Sequence, residues 1–145
     1  VKDFTSTFDS VTEAVYYVAA QDPYPASAQP YVGKSTLSYT VAPSITVASG
    51  AKVELIASTQ PLIGQTGPIT ANLKTISRYV SLTNPQSSFV FDYMHPGSYY
   101  LYAFVDNNSN DVMDSGDFVS TANTTFTLAV QGTTSQSTQI NFQIP

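Results

Sequence analysis

The sequence predicts an all-β fold, a single antiparallel sandwich of seven to eight short strands, and three observations lead there. Apolar residues recur with a period of two almost everywhere, turn-forming residues interrupt them at short intervals, and no stretch carries a sustained helical stripe. A period of two is the spacing at which alternate side chains of an extended chain meet one face. The 145 residues suit one ordinary domain with a real core, and neither an internal repeat nor a linker divides them.

The elements follow in order. Residues 1–12 form an extended N-terminal segment, with Phe4 and Phe8 on one side, Ser6 between them, and Lys2 and Ser10 flanking. The sandwich is expected over residues 13–145, and its first strand is Val15-Tyr16-Tyr17-Val18. Gln21–Gly33 holds Pro23, Pro25 and Pro30 and is excluded as a central strand, because proline lacks the ladder donor. Thr36–Val41 and Lys52–Ile56 are strands, and Ile69–Ile76 is the best helical candidate, one turn at most. A weaker strand runs through Ile76–Leu82, followed by Ser88–Tyr93, Tyr99–Val105, Thr124–Val130 and Gln139–Ile144. Turn signals separate them at Ser49-Gly50, Gly64–Pro68, Asn84-Pro85, Pro96-Gly97 and Gly132. The doubled aromatics Tyr16-Tyr17 and Tyr99-Tyr100 put one ring on each face, the inner one in the core.

Charged residues are 10% of the chain against about 25% for an average soluble domain. Ser, Thr, Asn and Gln take their place, a composition that suits an extracellular surface. The formal charge is −5, and the five basic residues, Lys2, Lys34, Lys52, Lys74 and Arg78, are scattered, which argues against nucleic acid as a partner. No apolar run approaches the length of a membrane span. With no cysteine, disulfides and thiolate chemistry are excluded. The chain opens at Val1 without a leader, as a processed secreted chain or a trimmed fragment would.

Four of the ten acids, Asp106, Asp111, Asp114 and Asp117, fall in one twelve-residue window. Such a cluster repels itself unless a cation sits in it. Counting Asp106 as the first position, side-chain oxygens fall at positions 1, 3, 5, 9 and 12: Asp106, Asn108, Asn110, Asp114 and Asp117, with the Val112 carbonyl at position 7. That is the ligand schedule of a twelve-residue Ca2+ loop. An all-oxygen set suits calcium, whereas zinc would call for histidine or cysteine. Asp111 stands where such loops place a glycine for a sharp turn, and Asp117 replaces the longer glutamate. Strands lead in and out, so the loop is grafted on a β-scaffold. An ion-free, Asp/Asn-rich hairpin tip is the competing reading.

Pro96-Gly97-Ser98-Tyr99-Tyr100-Leu101-Tyr102-Ala103-Phe104-Val105-Asp106, the Asx-rich loop after it and Ser115-Gly116-Asp117-Phe118 resemble a segment of prealbumin-like and carboxypeptidase-regulatory-like sandwich modules of prokaryotic surface proteins. The match covers about residues 96–118, and beyond it Lys52-Val53-Glu54-Leu55 is similar to an early strand. The resemblance implies an Ig-like or prealbumin-like sandwich and a cation site in the Asx loop. It says little about function, because sandwiches host many unrelated tasks.

Catalytic constellations are missing. His95 precedes Pro96-Gly97 and is expected to be an exposed turn histidine, and no serine lies in a G-x-S-x-G elbow. Asp3, Asp9, Glu13, Asp22, Glu54 and Asp92 show no context for paired-carboxylate hydrolysis. Gly64–Pro68 lacks the lysine of a phosphate loop. Tyr24 and Tyr31 could stack on a glycan, although no tryptophan supports them. Asn107 and Asn123 open glycosylation sequons, and Asn123 is the better acceptor because Asn107 overlaps the loop. The expected function is therefore non-catalytic: a calcium-stabilised, secreted structural subunit of a filament, sheath or surface layer at the cell surface. Self-association would run through the N-terminal segment acting as a donor strand. A carbohydrate-binding or adhesive module of a larger secreted protein is the alternative.

Overall fold

The computed structural model describes residues 32–145. The expected strand Val15–Val18, the Phe4/Phe8 segment, the Pro-rich stretch up to Tyr31 and the tyrosines Tyr24 and Tyr31 lie outside the described residues. The rest is an all-β sandwich. Strands β1 (Gly33–Val41), β6 (Ser88–Met94) and β10 (Thr133–Ile140) make a three-stranded sheet in the order β10-β1-β6. Strands β5 (Ile76–Thr83), β2 (Lys52–Ser58), β7 (Gly97–Asp106), β8 (Phe118–Val119) and β11 (Phe142–Gln143) follow one another in the opposite sheet. Strand β9 (Thr124–Leu128) also pairs with β7, beside Gly97–Leu101. A two-residue hairpin, β3 (Ile63–Gly64) and β4 (Gly67–Pro68), and a 3-10 helix over Thr70–Thr75 complete the described elements.

Inward residues of the two sheets form the core. Val53, Leu55 and Ala57 of β2 stand opposite Val105, Ala103 and Leu101 of β7, and all six are fully buried. Leu37, Phe91, Met94 and Ile140 meet them from the three-stranded sheet. Tyr99 stacks on Phe126 at 5.3 Å between ring centroids and donates its hydroxyl to the His95 carbonyl at 2.6 Å, so one ring both fills the core and ties down the turn before β7. The stretch from Leu101 to Asp106 is buried on both faces. Its outer side lies under the hairpin and the 3-10 helix, where the Leu62 amide donates to the Tyr102 hydroxyl at 3.0 Å. A strand covered on both faces loses its alternation, which is why this part of the sequence is a continuous apolar run.

Three expectations need correction. The sandwich is not wholly antiparallel, because β1 and β10 run parallel, with Leu37 beside Gln136 and Tyr39 beside Thr138. The single strand expected over Gln139–Ile144 is instead the end of β10 and the separate β11, and most of β10 is the polar run Thr133–Gln139. That run carries no apolar alternation, because side-chain hydrogen bonds take its place. Gln136 donates to the Thr125 carbonyl at 2.9 Å, and Thr138 shares a hydroxyl contact with Thr124 at 3.3 Å. Finally, His95 is half-buried, not an exposed turn residue. Its Nε2 is buried without a hydrogen-bond partner among the described residues, and burial lowers its pKa.

Candidate metal centre

The loop Asp106–Asp117 joins the end of β7 to β8, so sheet pairing fixes both its ends. Asp106 closes β7 opposite Lys52 of β2, and Asp117 immediately precedes β8. Both side chains are buried, Asp106 at 3% and Asp117 at 0% exposure. The residues between them are mostly exposed. The two buried acids are the posts on which the loop hangs.

Each post is satisfied by the backbone of the loop it holds. Asp106 accepts from the Asn110 amide at 3.2 Å and from the Asp111 amide at 2.8 Å. Asp117 accepts from the Asn107 amide at 2.8 Å and from the Asp114 amide at 2.9 Å. Burial works against the ionised form of Asp106, but amide donation from Asp111, Asn110 and Ser109, together with the charge of Lys52, outweighs it and lowers the pKa. A buried carboxylate with two amide donors is an ordinary way to settle its charge.

Between the posts, alternate Asx residues repeat one motif. The Asn108 Oδ1 accepts from the Asn110 amide at 3.2 Å, and the Asn110 Oδ1 accepts from the Val112 amide at 2.9 Å. Their Nδ2 groups converge on Asp114, at 2.8 Å from Asn108 to Oδ1 and 2.6 Å from Asn110 to Oδ2. The winding that achieves this needs left-handed backbone at Ser109 (φ 59°) and Asp111 (φ 60°). Asp111 therefore does take the conformation for which calcium loops use glycine, and aspartate tolerates it better than most residues. Gly116 supplies a third such turn at φ 96°. Asp111 itself points outward, 2.8 Å from the Lys52 Nζ, which also lies 3.4 Å from Glu54, and these two carboxylates raise the lysine pKa.

The structure thus brings Asn108, Asn110 and Asp114 together and fixes Asp106 and Asp117 to the loop backbone. Among the described residues no three His, Cys, Asp or Glu side chains form a group placed to hold a metal. Val112 is exposed, and its neighbour Met113 borders an apolar cleft of about 290 Å³ lined by Ile56, Phe104 and Val119. Sequence reasoning missed Lys52, Glu54 and Met113 as neighbours of the loop. Lys52 and Glu54 come from a strand about 50 residues away, and only sheet register could have revealed them. Asn123, the preferred glycosylation acceptor, is committed to the fold: its side chain accepts from the Tyr102 hydroxyl and donates to the Ile63 carbonyl at 3.2 Å.

No family model matches the chain, and no curated protein matches it by sequence. Among solved structures the chain is similar to a pilus-presented adhesin, Spy0125 (Cpa), at 14% identity and a TM-score of 0.35. The match covers 80% of this chain and 28% of the adhesin chain. A second structure of the same adhesin matches over 81% of this chain with the same identity and TM-score. A likeness at that level carries no argument about function.

Proposed function

We propose that this chain is a non-catalytic structural module of an extracellular or cell-surface assembly, stabilised by Ca2+ in the loop Asp106–Asp117. One observation supports the calcium reading above the others. In a chain that avoids charge, two acids are buried at the ends of one loop while two amides and a third acid converge between them. The residues that would hold the ion are Asp106, Asn108, Asn110, the Val112 carbonyl, Asp114 and Asp117, an oxygen set of the kind a hard divalent cation takes. The Asn108 and Asn110 Oδ1 atoms each accept one loop amide and keep a second lone pair for an ion. The ion would take over the neutralisation of Asp114 from the two Nδ2 groups.

The non-catalytic reading is supported by His95, the single histidine. Its burial favours the neutral imidazole, and its carbonyl is spent on the Tyr99 hydroxyl, which gives the residue a packing role. The structural reading is supported by the hydroxyl- and amide-rich surface and by the outer strands β5 and β6, each with one sheet neighbour among the described residues. The assembly would be a filament, sheath or layer joined through residues 1–12.

Thermal denaturation with Ca2+ and with chelator tests the ion. Saturation at about 100 times the dissociation constant adds about 2.7 kcal/mol. If the affinity is in the ~0.1–1 mM range of extracellular sites, millimolar Ca2+ adds about 1 kcal/mol. Asp114→Ala should abolish the response and leave the β-sheet spectrum intact. Identical melting curves with and without chelator would refute the calcium reading.

A further inference from the structure

We propose that the cleft between Tyr79 and the acidic loop binds a neutral saccharide. This goes beyond the structural reading above and rests neither on the ion nor on self-assembly.

The cleft lies on the outer face of the larger sheet. Val53, Leu55 and Ala57 of β2 point into the core, so Lys52, Glu54 and Ile56 point out. Tyr79 of β5 stands opposite Ile56, and Phe104 of β7 stands opposite Glu54. With Asp111 reaching over from the loop, these side chains line a cleft of about 370 Å³. The chain before the described residues joins at Gly33, in the sheet on the other side of the sandwich. Solvent reaches the lining of the cleft. Tyr79 is 66% exposed, and the Lys52 and Asp111 side chains are 45% and 78% exposed.

The apolar and polar parts of the lining are separate. Ile56 and the buried Phe104 make a floor, and Tyr79 makes an aromatic wall beside it. The polar groups stand together at the loop end. Lys52 Nζ lies 2.8 Å from the Asp111 Oδ1 and 3.4 Å from the Glu54 Oε1. The Ser81 hydroxyl donates to that same Glu54 oxygen at 2.8 Å. Glu54 Oε2 and Asp111 Oδ2 therefore keep their acceptor capacity among the described residues, and the ammonium keeps one of its three hydrogens. Acceptor, donor and acceptor stand in a row next to an exposed ring.

That row fits two neighbouring hydroxyls of a sugar ring, because a hydroxyl both donates and accepts. One can donate to Glu54, its neighbour can donate to Asp111, and either can accept from Lys52 between them. The C–H face of the ring would lie on Tyr79 and Ile56. Small-molecule sites share this composition, mostly apolar with a few placed polar groups that fix orientation. Charge selects the class of sugar. Two carboxylates against one ammonium leave a negative excess, and Asp106 at the same end of the cleft adds to it. Phosphorylated and uronic ligands are repelled, whereas a neutral ring is not.

NMR titration of the isotope-labelled full chain tests the site, with short neutral oligosaccharides of glucose, galactose, mannose and N-acetylglucosamine as probes. At least one should shift the Glu54, Ile56 and Phe104 amides at millimolar sugar. Tyr79→Ala should weaken that binding about tenfold, and Tyr79→Phe should recover most of it, because the ring makes the contact. Phe142→Ala removes an exposed ring at the opposite end of the same sheet and should bind as the parent chain does. Oligouronates of the same length should bind more weakly than the neutral probes. Absence of binding by every neutral probe overturns the proposal, as do shifts confined to other surfaces. Tighter binding of oligouronates overturns it too, and so does an equal loss in Tyr79→Ala and Phe142→Ala. If no probe binds and Tyr79→Ala instead disperses oligomers of the parent chain in sedimentation, the cleft is an interface between copies and the proposal falls. None of these results bears on the melting curves that test the ion.

Discussion

Two turns of this sandwich are held by side chains, one around Asn84 and one between Asp106 and Asp117. Asn84 accepts from the buried Tyr39 hydroxyl at 2.8 Å and donates to the Val47 and Ala48 carbonyls at 3.2 and 3.1 Å. Its backbone amide donates to the Ala51 carbonyl at 2.9 Å. The corner is neutral throughout and its partners come from distant segments. The acidic loop is held by its own backbone through Asp106 and Asp117, and its Gly116–Asp117 end is tied as well to Gln143 and Ile144. Neutral amide contacts make a turn indifferent to pH and ions, whereas buried carboxylates make it as responsive as their charge.

The largest expected effect comes from removing a post. Asp117→Ala leaves the amides of Asn107 and Asp114 without their acceptor at a fully buried position, and should cost about 3 kcal/mol of stability in urea denaturation. Asp117→Asn keeps an acceptor and should recover part of it. A loss no larger than that of an exposed substitution would mean the loop is not anchored there.

Asn84→Ala should cost about 2 kcal/mol, from three side-chain hydrogen bonds that are partly accessible to water. Its cost should not change between pH 7 and pH 4, since neither Asn84 nor the carbonyls it reaches titrate there. A cost that falls with pH would remove the contrast between the two turns.

Of these two turns, acid should act on the loop alone. The Asp106 pKa is lowered in the fold, so its contribution is fully present above the unfolded value of about 3.9 and is lost as pH falls through the folded value. Hydrogen exchange should show the Asn110 and Asp111 amides losing protection below about pH 4 while Asn84 keeps its own. Simultaneous loss at both turns would indicate global unfolding instead.

The smallest effect belongs to Lys52, whose contacts with Asp111 and Glu54 are solvent-screened. Lys52→Met should leave the denaturation midpoint unchanged at physiological salt. A clear drop would show that the cross-strand lysine, and not the buried acids, organises the loop.

Much of the fold was legible because burial leaves a pattern. Thr36–Val41, Lys52–Ile56 and Ser88–Tyr93 all lie within strands, since one inward face imposes alternation. The weaker run Ile76–Leu82 is a strand as well, β5. The polar β10 was not legible, because its place depends on Thr124 and Thr125 of β9, and hydroxyl or amide pairing leaves no hydrophobic period. Phe118–Val119 escaped for a different reason, since two residues are too few to show one.

The sequence alone determined the class of fold, the extent of the acidic loop and its candidate oxygens, because strand alternation and ligand spacing are properties of neighbours along the chain. Only the tertiary structure decided that β1 and β10 run parallel, that Lys52 faces Asp111, and that Asp106 and Asp117 are buried posts while Asp111 is an exposed partner. The physical reason is register. Sheet pairing joins residues tens of positions apart, and it alone sets which of several chemically identical carboxylates is removed from water.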